Sequence, residues 1–195
     1  MSPVGDMALC CIGKERKFMK NHSTILKMVL AALFLALAYV LPFVTGQIPE
    51  IGAMLCPMHI PVLLCGFICG WPWGLAVGLI APIFRSVILT MPPMFPTAVC
   101  MSVELATYGA IAGIMYKVLP KKKVYIYAAL LIAMVAGRVI WGVAMFAVMG
   151  LSGGSFGFDA FAAGAVGNAI PGIILQIILI PLLVMLLEKA KVIRK

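Results

Sequence analysis

The chain has 195 residues, 64% of them hydrophobic and only 11% charged, with a formal net charge of +9 and a mean hydropathy of +1.16. So little polar surface cannot cover a soluble globule of this length, which points to an integral membrane protein. A spanning helix takes about 20 apolar residues, so the chain has room for about six helices and no separate soluble domain.

Residues 1–22 read as a cytoplasmic amino-terminal segment, and residues 23–195 as one six-helix transmembrane domain. Lys14, Arg16, Lys17 and Lys20 precede an apolar run from about residue 25 to 43. That run is longer than the roughly 7–15-residue apolar core of a signal peptide and reads as the first span. A polar loop with Gln47 and Glu50 follows, then a second span over about 53–70 that Pro57 and Pro61 are expected to shorten or break. Gly70-Trp71-Pro72-Trp73-Gly74 reads as a tight turn with interfacial tryptophans, leading into a third span over about 73–91. Met91-Pro-Pro-Met-Phe-Pro96 closes the third span. The fourth covers about 97–116 and is closed by Pro120 and the following lysines; the fifth covers about 124–149 and the sixth about 161–187. The fifth and sixth are joined by Gly150-Leu-Ser-Gly-Gly-Ser-Phe-Gly-Phe-Asp159, a stretch flexible enough for a lid.

The expectation is an all-α membrane protein, a compact bundle of six transmembrane helices. Its lysines and arginines cluster before and at the start of the first span, between Lys117 and Lys123, and after Leu187, while the three alternate loops hold none. This asymmetry predicts that both termini are cytoplasmic, and it assigns the basic charge to topology and anionic lipid rather than to nucleic acid.

Three ionisable residues break the pattern, because Arg85, Glu104 and Arg138 lie inside apolar stretches. A charge at that depth costs at least ~2.5 kcal/mol on insertion scales, so it faces a partner, a cavity or a substrate. Helical rise puts Arg85 and Glu104 in the outer half of the bilayer, Arg138 just past the middle of its span, Asn168 about two turns into the sixth span and Gln176 deeper. Tyr108 is four residues after Glu104 and Trp141 three after Arg138, so each shares its neighbour's helix face. Two cations against one carboxylate leave one positive charge, which suits a ligand carboxylate. The same residues also fit a structural reading, in which one arginine pairs permanently with Glu104 and the other snorkels.

Small residues form a second constellation. Ala32 and Ala36 are one turn apart, with Ala31 and Ala38 adjoining, and Gly66/Gly70, Gly74/Gly78 and Gly109/Gly113 repeat the spacing. Each pair permits close helix approach, within this chain or to a partner.

Several motifs lead nowhere. Gly150-Leu-Ser152-Gly153 matches the serine motif of rhomboid proteases, but no histidine follows Ser152 to act as its base. No phosphate-binding loop occurs, since Gly13-Lys14 is followed by Glu15. The six cysteines offer no disulfide framework, and prolines interrupt any alignment of Cys56 and His59 with Cys65 and Cys69, so no metal site is expected. No catalytic residue and no enzyme activity are expected.

Taken together, the chain resembles the substrate-binding (S) component of an energy-coupling factor transporter, a bacterial vitamin importer. The resemblance covers nearly everything after about residue 22. It rests on the small six-helix size, the Ala32/Ala36 pair, the long first outer loop and Leu41-Pro-Phe-Val-Thr-Gly-Gln-Ile-Pro-Glu50. Met91-Pro-Pro-Met-Phe-Pro-Thr97 leading into Glu104-Leu-Ala-Thr-Tyr-Gly109 completes it.

The resemblance implies a multi-pass protein of a bacterial cell membrane that binds a vitamin near the outer face under a cap of outer loops. It implies docking on a membrane coupling subunit, with ATP used by two ATP-binding partner subunits and no cofactor in this chain. Ala32 and Ala36 then become docking positions. Glu104, Arg138 and Asn168 become pocket candidates, joined by Tyr108, Trp141 and Arg85, and Gln47 and Glu50 fall to the lid. A net positive pocket favours an acid such as pantothenate, nicotinate or folate. The alternatives are a self-contained secondary transporter, or a structural or assembly protein whose internal charges pair with one another.

Overall fold

A computed structural model describes residues 24–43, 57–90, 92–120, 123–151 and 170–189. These residues form helices and short connections, with no strand among them. In chain order the helices are α1 (Thr24–Phe43), α2 (His59–Cys69), α3 (Trp71–Leu89), α4 (Val99–Val118), α5 (Lys123–Leu151) and α6 (Ile170–Lys189). The amino-terminal segment, Gln47, Glu50, the expected lid after Leu151 and Asn168 lie outside the described residues.

The six-helix expectation holds for the succession of elements, with α2 shorter than a full span. Among the described residues four helices are long and apolar enough to cross a membrane, whereas α2 is a shorter apolar helix. With 11 residues, α2 is about 16 Å long, roughly half the hydrocarbon thickness. The prolines explain why: Pro57 lies in a turn rather than a helix, and α2 begins only at His59. Pro61 sits in the first turn, where its missing N–H costs no hydrogen bond.

The expected tight turn over residues 70–74 contracts to a single residue. Gly70 has φ +95°, a left-handed conformation that glycine adopts without steric cost, and its N–H donates to the Gly66 carbonyl at 3.1 Å. Trp71 and Pro72 already belong to α3, with proline in the first helical positions that suit it. At the other end, α3 stops at Thr90, whose φ is 56°. A kinked π-type turn, Met94–Ala98, then feeds α4.

Helix α4 is the axis of the bundle. The most extensive packing is α3 on α4, followed by α5 and α2 on α4, while α6 leans on α2 and α5. Accordingly 56% of the α4 apolar window is buried inside the bundle, against 17% for α1.

Glycines set how closely these helices approach. A Cβ on Gly74 would stand 2.7 Å from the Gly109 carbonyl oxygen. One on Gly113 would meet Gly66 and the Trp71 backbone, and one on Gly78 the Leu105 backbone. Gly66, Gly74, Gly78, Gly109 and Gly113 therefore line one seam joining α2, α3 and α4, so these pairs pack within the chain. The edge-to-face pair Phe67–Tyr116, centroids 5.5 Å apart, continues the α2–α4 contact beyond the seam.

Helix α1 uses its small residues differently. Ala31, Phe34 and Ala38 are buried in the core, at the three- and four-residue spacing of one helix face. Tyr39 reaches Phe84 of α3, ring centroids 5.9 Å apart. Ala32 and Ala36 are exposed on another face, beside Val29, Leu33 and Val40. Ala31 and Ala38 therefore do not extend the exposed pair.

Candidate ligand site

Glu104 lies in the second turn of α4 and is 2% exposed. Three side chains from three helices converge on its Oε1. The Tyr108 hydroxyl, one turn further along α4, donates to it at 2.9 Å. Arg138 Nη1 of α5 lies 3.2 Å away, and His59 Nε2 at the start of α2 lies 3.7 Å away. The first two are a hydrogen bond and an ion pair. The third is too long for a hydrogen bond, and it becomes an ion pair only when the imidazole is protonated.

The sequence explains how these groups meet. Four-residue spacing aims Glu104 and Tyr108 the same way. Helix α2 runs parallel to α4: His59 lies opposite Glu104, and Gly66 lies opposite Gly109 and Gly113. The His59 and Tyr108 rings stand 5.2 Å apart at 58°. On α5, Gly137 precedes Arg138, and a Cβ there would collide with the Tyr108 ring. The missing side chain lets α5 close on α4, so that Arg138 reaches the carboxylate. Trp141 is half-buried one turn beyond Arg138.

Electrostatically, Glu104 needs this company. A carboxylate in a low-dielectric interior is tolerable only with a counter-ion and donors, and a buried pair that loses one partner is destabilised by about 3–5 kcal/mol. Arg138 retains 18% exposure, so the pair is open on its cationic side.

Arg85 does not pair with Glu104. Its Nη1 donates to the Met58 thioether at 3.3 Å, which brings the guanidinium beside the residue preceding His59. Of the two pairings open in the sequence, the structure thus has Arg138 on the carboxylate and Arg85 against sulfur. Gln176 of α6 is buried at 2% exposure, with Oε1 unbonded. Nearby hydroxyls are occupied locally: Ser102 donates to the Val99 carbonyl at 2.7 Å and Thr107 to the Val103 carbonyl at 2.8 Å.

Sequence reasoning placed Glu104, Tyr108 and Arg138 among the candidates, and the structure brings these three together. It missed His59, considered only as a metal ligand, and it missed Gly137. A lone histidine in an apolar stretch was the available signal for the first; for the second there was none. Among the described residues no three histidine, cysteine or acidic side chains group to hold a metal.

Residues 26–184 match the protein family described as the ECF transporter, substrate-specific component. The chain belongs to that family. Comparison with curated proteins and with solved structures gives no match. Membership makes this S component the substrate-specific membrane subunit of an ECF transporter, a transport protein and not an enzyme, which associates with an ECF module and a small-molecule substrate. The apolar helices make it a multi-pass membrane protein.

Proposed function

We propose that this S component captures a small water-soluble vitamin or cofactor precursor at the outer face of a bacterial cell membrane, with both of its termini in the cytoplasm. After docking on a membrane coupling subunit it releases the ligand inward, and two ATP-binding subunits of the module supply the energy. The family match over residues 26–184 carries this reading. The polar cluster on Glu104 supports it, because ionisable side chains from separate helices meet at one end of an otherwise apolar bundle.

In this reading Arg85, Glu104, Tyr108, Arg138, Trp141 and Asn168 form or brace the pocket, and Gln47 and Glu50 belong to its cap. The exposed face carrying Ala32 and Ala36 is the docking surface. Small side chains there let a partner helix approach closely. The surplus of cationic over anionic groups favours a carboxylate ligand such as pantothenate, nicotinate or folate.

Thermal melting of the purified chain against a vitamin panel tests the proposal. A ligand at about 100 times its Kd stabilises the fold by ~2.7 kcal/mol. One compound is expected to raise the melting temperature, and Arg138→Ala or Glu104→Gln to abolish that shift. The convergence of Tyr108 and Arg138 on one carboxylate oxygen favours a second reading, in which the cluster is only an internal brace. Absence of a shift with every compound would select it.

A further inference from the structure

His59 is 2% exposed, and neither of its ring nitrogens has a hydrogen-bond partner. A neutral imidazole held this way has given up the water of one donor and one acceptor without replacing either. Its Nε2 nevertheless lies 3.7 Å from Oε1 of Glu104. An imidazolium bonds a carboxylate at about 2.8 Å, so one added proton and a shift of about 0.9 Å turn this loose contact into a charge-assisted hydrogen bond.

That proton has a consequence, because Oε1 is already occupied. A carboxylate oxygen offers about two lone-pair sites, and Oε1 serves the Tyr108 hydroxyl at 2.9 Å and Arg138 at 3.2 Å. A third donor displaces one of them. The Tyr108 ring is 1% exposed and packs against Gly137 and His59, whereas Arg138 makes the longer contact and retains 18% exposure. Arg138 is therefore the partner that yields.

The other ionisable groups around His59 set the balance. Cys100 precedes Glu104 by one turn on α4, and Arg85 of α3 bonds Met58, the residue next to His59. From α1, Tyr39 packs on Phe84, the neighbour of Arg85, while Lys27 acts on Cys69 at the far end of α2. Helix α6, which also packs on α2, has no ionisable residue before position 188. Two arginines near one carboxylate disfavour a further positive charge, and an arriving anion relieves that.

We infer that His59 is a proton-binding site linked to ligand capture: an anionic ligand draws a proton onto His59, which takes over Glu104 and turns Arg138 toward the ligand. His59 is then a positioning residue for Arg138. The coupling rests on the vitamin-capture reading, but the proton site does not. Its sign follows from linkage. Ligand and proton favour each other's binding, so affinity is highest on the acid side and falls as pH rises through the range in which imidazole loses its charge.

Trp141, half-buried one turn beyond Arg138, reports on the proton site. With Trp71→Phe and Trp73→Phe it is the one tryptophan left, and its fluorescence in the ligand-free chain is followed from about pH 8 to about pH 5. A titration step that His59→Gln removes is expected. The absence of any step, or a step that persists in His59→Gln, overturns the proton site.

Calorimetry in buffers of different ionisation enthalpy tests the coupling in the unmodified chain. The probes are pantothenate, nicotinate and folate, whose carboxylates stay ionised across this range. The compound that binds is expected to bring proton uptake with it, and its Kd to rise by up to about tenfold per pH unit. In His59→Gln both effects are expected to vanish. Binding without proton uptake and with a constant Kd overturns the coupling while leaving vitamin capture intact. Failure of every compound in the wider vitamin panel overturns capture and coupling together, and the fluorescence step then decides the proton site alone.

Discussion

The glycine seam of α2, α3 and α4 and the alanine pair of α1 carry the same small-xxx-small spacing and meet opposite fates. In the seam, carbonyls and Cα atoms of one helix occupy the space where side chains of the next would be. On α1, Ala32 and Ala36 face outward while Ala31 and Ala38, their sequence neighbours, are buried. Spacing alone shows that a close approach is possible. Which face the helix turns inward decides whether that approach is consumed within the chain or left for a partner.

Substitutions can break this contrast, beginning with the strongest. Gly109→Val puts a branched side chain into the Gly74 backbone, which cannot move without separating α3 from α4. The expected loss is about 3 kcal/mol, the upper end for overpacking, read as a collapse of the melting temperature. A melting temperature near wild type would show that the seam is looser than described. Ala38→Trp, at a fully buried position, should cost about 1–3 kcal/mol by prising α1 off the core.

Gly137→Ala is expected to cost less, about 1 kcal/mol, because the obstacle is a ring that can tilt. Tilting displaces the Tyr108 hydroxyl from Glu104, so ligand affinity should fall more than stability. Equal losses in Gly137→Ala and in a distant core variant would argue against a role in shaping the site. Ala32→Trp and Ala36→Trp should change melting by less than about 0.5 kcal/mol and leave binding unchanged, yet stop ATP-driven uptake. Unimpaired uptake in both would free the α1 face from the docking role. Two residues along one helix, Ala36 and Ala38, thus separate the two effects.

Much of the fold was legible because the apolar runs and their basic flanks are strong signals, and family resemblance lay in short stretches around Ala32, Glu104 and the first loop. The Glu104–Tyr108 contact followed from four-residue spacing. What escaped the sequence was rotational setting and register between helices. Arg85 and Arg138 were equivalent partners for Glu104 until packing put Arg138 on α5 against α4. His59 was obscured because Pro57 delays the start of α2, which makes it the first residue of a short helix parallel to α4. Gly137 matters only through the ring opposite, which one helix's sequence does not reveal.

Reconstitution into liposomes tests the central claim most directly, using whichever vitamin raises the melting temperature. The account predicts that the vitamin accumulates only when this S component is combined with the membrane coupling subunit, the two ATP-binding subunits and ATP, while the chain alone binds it without concentrating it. Concentrative uptake by the chain alone would contradict the account.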